Sequence, residues 1–315
     1  MDPYIFGDLS KLVVNPNDPW TRYIPNKNDG GEILSSSWMQ NTYDKLETTI
    51  PNFSWETHRI HPIIIYGDKT GTDSRQRYAA EPWMFCHAGI KRQFRNDPTN
   101  WRPLGYIPDL HFSSSAYRRI IKGRKSGKSN SHQNYMLLMQ EVIRSLEEVM
   151  FTGFDAYQRL GDTFRMMRHH VVVCFVMGDS LSNTTLCSTF MSSKSKRICR
   201  FCDVTLNECN NHGHRCNFLK MIHLKRLSAR FFETNEKEEK EYLCAIHNQL
   251  SFYVSRNPWL NLDYGCNPHG LFAATPTDMM HLFDLGIIPY VIELFFESMT
   301  DKVKMELDHF VSTYF

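Results

Sequence analysis

The sequence lacks a strong charge of either sign. Its 36 Lys and Arg and 34 Asp and Glu leave a formal charge of +2 over 315 residues, which argues against nucleic-acid binding through a basic surface covering the whole protein. It also lacks an apolar run of about 18 residues, which argues against a membrane-spanning helix. Residues 1–7 have neither the basic start nor the apolar run of a secretion signal. These absences predict an intracellular protein that acts through local clusters of residues.

The composition is that of a folded protein in a reducing compartment. Hydrophobic residues make up 42% of the chain and charged residues 22%, which is typical of globular rather than disordered proteins. Nine cysteines are present. Inside a cell, closely spaced cysteines are more typical of metal sites than of disulfides.

The first apolar segments predict three strands of an α/β fold. The run at 62–66 is bounded by Gly67 and Asp68, as expected of a strand buried on both faces. Two further strands are predicted around residues 81–90 and 104–107.

A helix and a fourth strand are predicted next. Apolar residues at three- and four-residue steps predict a helix over 131–151. The most apolar run of the chain, 171–177, predicts a strand that ends at Gly178 and Asp179. A helix is predicted over 181–191.

The two ends of the chain differ from the middle in composition and in predicted structure. Residues 1–57 are rich in Asn, Pro, Ser and Gly, and we expect an irregular arm that docks on the core through Trp20, Trp38 and Trp55. Residues 222–255 and the segment from Thr277 onward are predicted to be helical.

Asp68 and Asp179 are the candidate catalytic residues. Each follows an apolar strand and a glycine, and functional groups in α/β sheets collect beyond the carboxyl ends of strands. If the strands are parallel neighbours, both carboxylates meet at one edge. A pair of Mg²⁺ or Mn²⁺ ions would relieve their repulsion there and support phosphodiester chemistry. The alternative is that each Asp only caps a helix or starts a turn.

A cluster of metal-ligand residue types follows the last strand. It consists of Cys199, Cys202, Cys209, His212, His214 and Cys216. Zinc takes four such ligands in a tetrahedron, and a C-x-x-C spacing lets one turn supply two thiolates. The cluster predicts a structural zinc site whose ligands beyond the C-x-x-C are open. The alternative is a set of unpaired cysteines in a polar loop.

The most basic segment lies between residues 118 and 128. Its cationic residues are Arg118, Arg119, Lys122, Arg124, Lys125 and Lys128. They predict a loop that contacts DNA phosphates, and a solvated loop without a partner is the alternative. The same segment resembles a P-loop but is one residue short between its glycines, which argues against nucleotide binding.

In their order and spacing these motifs resemble those of the CACTA-like transposases, particularly the Plavaka-type elements. The matching segments are IIIYGDKT at 63–70, GYIP at 105–108, VMGD at 176–179, the pair Cys199 and Cys202, and ATPTDMMHLFDLG at 274–286. The resemblance covers about residues 58–295.

The resemblance implies an α/β fold with an incomplete ribonuclease-H-like mixed sheet, a zinc-binding loop and a C-terminal helical insertion region. The implied divisions are an irregular arm at 1–57, a partial ribonuclease-H-like core at 58–198, a Cys/His-rich zinc segment at 199–220 and a truncated helical insertion at 221–315.

The resemblance also implies an activity. In the parent enzyme, two-metal phosphoryl transfer would cleave and transfer DNA strands, with Asp68 and Asp179 as Mg²⁺ or Mn²⁺ ligands and with zinc on Cys199 and Cys202. The implied partner is DNA, both transposon ends and target, and a homo-oligomer is a further candidate assembly. The implied location is the nucleus in a eukaryote and otherwise the cell interior.

Two departures from the family predict that this chain alone does not catalyse transposition. The family's paired histidines and third catalytic Glu have no convincing equivalent before Phe315, so the chain is expected to be truncated. One alternative is a domesticated zinc-containing DNA-binding or scaffold protein without catalysis. Another is a complete metal-dependent nuclease that uses Asp278, Glu293 or Glu297 as the third ligand.

Overall fold

The structure, a computed structural model, describes most of the chain in two compact units, Met1–Pro276 and Thr277–Phe315. The described residues are 7–26, 31–71, 79–108, 131–190, 195–209, 211, 213, 215–277 and 287–314.

One mixed sheet organises the first unit. Its strands, among the described residues, are β1 (His58–Gly67), β2 (Thr70–Gly71), β3 (Ala79–His87), β4 (Trp101–Pro108), β5 (Phe154–Leu160) and β6 (Thr163–Met177). The order across the sheet is β2-β3-β1-β6-β5, and β4 also pairs with β3. Strands β1 and β6 are parallel, and the other pairs are antiparallel. The predicted α/β class is thus confirmed as a mixed sheet with helices.

Strands β1 and β6 lie at the centre because their residues are apolar on both faces. Ile63 and Ile65 belong to the largest buried cluster, whereas Ile64 belongs to another that also contains Cys174. Side chains of successive strand residues point to opposite faces. Both faces of β1 therefore need a covering layer.

Helices supply these layers. In the first unit they are α1 (Ser37–Thr49), α2 (Arg92–Arg95), α3 (Ser131–Thr152), α4 (Ser180–Leu186), α5 (Met221–Glu233), α6 (Lys237–Gln249) and α7 (Leu271–Ala274). Helix α3 packs Met139 and Ile143 into the cluster of Ile63 and Ile65. Helix α1 packs Met39 and other residues against Ile60 and Val172.

The predicted irregular arm contains the 13-residue helix α1. Ser36 caps it by accepting a hydrogen bond from the N–H of Met39 at 3.2 Å. Its buried face consists of Met39, Thr42, Tyr43 and Leu46. One narrow, mostly apolar face of the helix therefore packs against the core, and the other residues are mainly polar. The three arm tryptophans do pack against the core clusters.

Strand β5 and the first half of β6 form a hairpin absent from the sequence prediction, which starts the strand at Val171. One face of this hairpin is exposed, including Tyr157, Phe164 and Met166. No continuous apolar run therefore marks it.

Two predicted helices are shorter than expected. Residues 222–255 contain α5 and α6, which end at Glu233 and Gln249, and α4 ends at Leu186. Ser188, which follows α4, has a left-handed φ of 54°, and this conformation stops a right-handed helix.

The second unit contains α8 (Ile288–Ser298) and α9 (Asp301–Tyr314), in agreement with the predicted helical region. Among the described residues, no helix combines the length and apolar character needed to cross a membrane.

Candidate functional site

The two Gly-Asp sequences lie at the ends of adjacent parallel strands. In the β1–β6 register, Tyr66 pairs with Met177. Asp68 and Asp179 each follow two residues later. The parallel pairing on which the two-aspartate hypothesis depends is therefore present.

Close packing surrounds the glycine at both strand ends and is tighter at Gly67 than at Gly178. A Cβ atom on Gly67 would lie 2.5 Å from Cε2 of the Trp83 indole. A Cβ atom on Gly178 would lie 3.1 Å from the carbonyl oxygen of Gly67. The absence of a side chain at Gly67 thus makes room for the Trp83 indole of β3, and its absence at Gly178 eases the approach of the β6 end to the β1 end.

Both carboxylates have local hydrogen-bond partners. Asp179 Oδ1 accepts from the N–H of Ser182 at 2.5 Å and is the N-cap of α4. Asp68 Oδ2 accepts from the hydroxyl of Tyr66 at 3.3 Å. Asp179 therefore has the capping role that the sequence left open. The cap uses Oδ1, and capping does not prevent the same carboxylate from binding a cation.

Glu81 is a third acid at this edge that sequence reasoning missed. Because β3 runs antiparallel to β1, its first residues lie where β1 ends. Glu81 Oε1 accepts from the Tyr135 hydroxyl at 2.5 Å and from Trp83 Nε1 at 3.1 Å. Burial raises the pKa of Glu81, the charge of Asp179 adds to this effect, and Lys69 opposes it.

An unpaired amide oxygen also lies at the strand ends. Asn183 is fully buried, and its Nδ2 donates to the carbonyl of Gly178 at 2.9 Å. Its Oδ1 has no partner and lies 3.6 Å from the Cβ position of Gly178. Carboxylate and amide oxygens are ligands that hard divalent cations prefer, so the residue types at this edge fit such an ion.

The C-x-x-C lies at the turn of a small hairpin. Arg197 forms an antiparallel bridge with Thr205, and Ile198 N–H donates to the carbonyl of Val204 at 3.2 Å. A further bridge joins Cys202 to Phe218. This pairing brings the segment that follows Cys216 alongside the hairpin.

Three of the candidate zinc ligands come together. Burial raises the pKa of the Cys202 thiol, and hydrogen bonds with the thiols of Cys199 and Cys216 raise it further. The N–H of Phe201 donates to Cys199 Sγ at 3.3 Å. Cys209 is exposed, and its thiol donates to the carbonyl of a nearby loop residue. The structure thus brings Cys199 and Cys216 to Cys202 and places Cys209 in an exposed turn.

The remaining candidates lie outside the described residues or in the second unit. His212, His214 and Asp278 lie outside the described residues. So does the entire basic segment, with Arg118, Arg119, Lys122, Arg124, Lys125 and Lys128. Glu293 and Glu297 are exposed residues of α8 in the second unit.

In the part of the chain that the structure describes, no three His, Cys, Asp or Glu side chains form a group that could hold a metal ion. This holds although the thiols of Cys199 and Cys216 both adjoin Cys202. Zinc binds thiolates, so the thiols of Cys199, Cys202 and Cys216 would have to lose their protons before they could hold a zinc ion. At each predicted metal site the described residues thus supply some of the expected ligands: Asp68 and Asp179 at the strand ends, and three cysteines at the hairpin.

Comparison with known proteins adds no assignment: no protein-family model matches the chain, and no curated protein is significantly similar to it.

Proposed function

We propose that this chain derives from the transposase of a cut-and-paste DNA transposon, in which Asp68 and Asp179 bind the divalent cations for DNA cleavage and strand transfer. The observation that carries the proposal is the parallel pairing of β1 and β6, which ends both strands in Gly-Asp at one edge.

The topology supports a ribonuclease-H-like core. The resemblance implies an element order of three strands, a helix and a further strand. The order β4-β3-β1-β6, with α3 between β4 and the β5–β6 hairpin, agrees with this. Strand β5 is an addition to that order.

The chemistry assigned to the site is phosphoryl transfer. Bound cations would supply an activated water or hydroxyl and would stabilise the leaving oxygen. Asp68 and Asp179 would hold the cations, and Glu81 is a further carboxyl group whose pKa the charge of Asp179 helps to raise. The DNA partner belongs to the same proposal, as does a location in the nucleus of a eukaryote or otherwise in the cell interior.

We expect no transposition by this chain alone. Among the described residues, no third acid joins Asp68 and Asp179 in a group that could hold a metal ion. Mg²⁺-dependent cleavage or transfer of the element's own ends by the purified protein would contradict this expectation.

The decisive test is Mn²⁺ binding, measured by electron paramagnetic resonance, to Asp68→Asn and Asp179→Asn. Asn is as good an N-cap as Asp, so Asp179→Asn keeps α4 capped while it removes the charge. Both variants should weaken binding at least about tenfold, whereas Asp162→Asn, at an exposed turn, should not. Wild-type affinity in both variants would refute the cation site.

A second candidate is a zinc-containing DNA-binding or scaffold protein without catalysis. It is favoured by the capping role of Asp179 and by the contact among Cys199, Cys202 and Cys216. In this case DNA binding, measured by fluorescence anisotropy, should fall on zinc chelation and recover on zinc addition. The Asp179→Asn variant should bind DNA like the wild type.

A further inference from the structure

Within residues 7–26 of the N-terminal arm, the segment 11–13 docks beside the end of β3. Leu12 forms an antiparallel bridge with Ile90. The N–H of Val13 donates to the carbonyl of Gly89 at 2.8 Å, and the N–H of Lys91 donates to the carbonyl of Lys11 at 2.8 Å. The contact between the arm and the sheet therefore depends on the position of the Gly89 carbonyl.

A chain of three imidazoles lies next to this contact and crosses three adjacent strands. His87 Nε2 lies 3.1 Å from His61 Nδ1, and His61 Nε2 lies 2.9 Å from His169 Nδ1. Leu12, Val13 and Thr21 of the arm line the same cavity as His61 and His87. We call His87, His61 and His169 the histidine chain.

Backbone groups at both ends fix where its protons lie. The N–H of Gly89 donates to His87 Nδ1 at 3.1 Å, so that nitrogen must be an acceptor. The carbonyl of Ala156 lies 3.0 Å from His169 Nε2, so that nitrogen must be a donor. If all three rings are neutral, each carries its proton on Nε2, and every contact joins one donor to one acceptor.

One extra proton cannot be accommodated in this arrangement. The Ala156 carbonyl already receives the only proton that His169 Nε2 can hold. Any added proton must therefore sit at an Nδ1, where it faces the N–H of a neighbouring imidazole or of Gly89. Two donors that face each other repel and lose a hydrogen bond. The contact must then open.

We propose that the histidine chain is an acid-sensitive latch. It holds residues 7–26 of the N-terminal arm on the sheet at neutral pH and releases them on protonation. Opening at His87 displaces the backbone of Gly89, whose N–H bonds to His87 and whose carbonyl accepts from Val13. The latch does not depend on the proposed transposase function.

The surroundings oppose an additional positive charge. Among the described residues, the charged or titratable groups that act on the histidine chain or line its cavity are Arg59, Tyr23 and Tyr43, Arg95, Asp155 and His170, with Asp18 of the arm acting on Arg59. Arg59 donates to the carbonyls of Pro19, at 2.5 Å, and Trp20. The arm thus already covers one buried cation.

Burial is the main cause of the lowered pKa values of all three imidazoles in the histidine chain. It lowers the pKa of His61 well below its ordinary value and that of His87 to about 3, with Arg59 contributing to both. The pKa of His169 is also lowered. A histidine whose pKa is lowered in the docked state stabilises docking fully above the ordinary value of about 6.5, and that stability is lost as the pH falls below it.

The pH dependence should be steep. Each histidine that takes up a proton on release multiplies the released population by roughly tenfold per pH unit below about 6.5. One to three protons therefore predict an increase between roughly tenfold and a thousandfold per pH unit.

Amide hydrogen exchange of the full chain between pH 7.5 and 5, corrected for intrinsic rates, tests the latch. We expect residues 7–26 to lose protection below about pH 6.5, while Met139 and Ile143 of α3 remain protected. Loss of protection in all segments together, or none in the arm, would overturn the proposal.

Two further measurements keep the test sharp. Nitrogen-15 spectra at pH 7.5 should show Nε2–H tautomers for His61, His87 and His169, and an Nδ1–H on any of them would overturn the proposal even if no variant folds. His61→Phe should flatten the acid transition of the arm. His132→Phe replaces a buried histidine that is not part of the histidine chain, and it should leave the acid transition of the arm unchanged.

Discussion

Replacement of Gly67 by Ala tests whether the end of β1 packs as closely on the Trp83 indole as described. The new Cβ would lie 2.5 to 2.6 Å from three atoms of the Trp83 indole, so the ring or the strand must move by about 1 Å to reach ordinary contact. Trp83 is fully buried, and its ring centroid lies 5.2 Å from that of Trp259. The indole therefore has no free space to enter.

The expected cost follows from two contributions. Overpacking of a filled core costs about 1–3 kcal/mol, and this contact belongs at the upper end because backbone and a rigid ring collide. Displacement of the indole also breaks its 3.1 Å hydrogen bond to Glu81, which contributes about 1 kcal/mol. We expect Gly67→Ala to lower the free energy of unfolding by about 3–4 kcal/mol.

Urea denaturation followed by circular dichroism measures this change. Gly213→Ala is the matched control, because its nearest neighbour would be Asn211 Oδ1 at 3.5 Å, and it should change stability by less than about 0.5 kcal/mol. If Gly67→Ala stays within about 1 kcal/mol of the wild type, a bound well below the overpacking range, the close approach does not require glycine.

Three further predictions concern single side chains. Cys216→Ser should lower zinc affinity by at least about 100-fold in a chelator competition, since loss of a ligand exceeds the loss of an outer partner, whereas Cys209→Ser should not. Tyr135→Phe removes the 2.5 Å hydrogen bond to Glu81 and should cost about 1.5–3 kcal/mol in urea denaturation at pH 7; an unchanged midpoint would show that the bond contributes nothing. Burial lowers the pKa of His132 to about 4, so stability is complete above about 6.5 and falls toward pH 4. His132→Phe should reduce that slope by up to about 1.4 kcal/mol per pH unit.

The sequence predicts the central strands because their apolar residues are buried on both faces. Ile63 and Val173 lie in continuous runs, and such runs are visible without knowledge of pairing. The β5–β6 hairpin escapes the same reasoning, since residues such as Tyr157 and Phe164 face solvent. A strand that is buried on one face only, and only partly, leaves too weak a pattern.

The candidate site is foreseen only where its residues follow predicted strands. Asp68 and Asp179 satisfy that condition. Glu81 does not, because its place at the same edge depends on the direction in which β3 runs. The histidine chain is hidden for the same reason: His61 and His169 are about 110 residues apart, and only the β1–β6 pairing brings them together.

The central parallel pair has a consequence for biosynthesis. His61 pairs with Val171, so β1 leaves the ribosome about 110 residues before its partner β6 is translated. During that interval β1 can pair with β3, but its other edge presents unsatisfied backbone groups beside isoleucine side chains. Such an edge invites association with other chains, and distant pairings form slowly. Nascent chains released before Met177 should therefore need chaperones to stay in solution, whereas chains that include β6 close this edge by themselves.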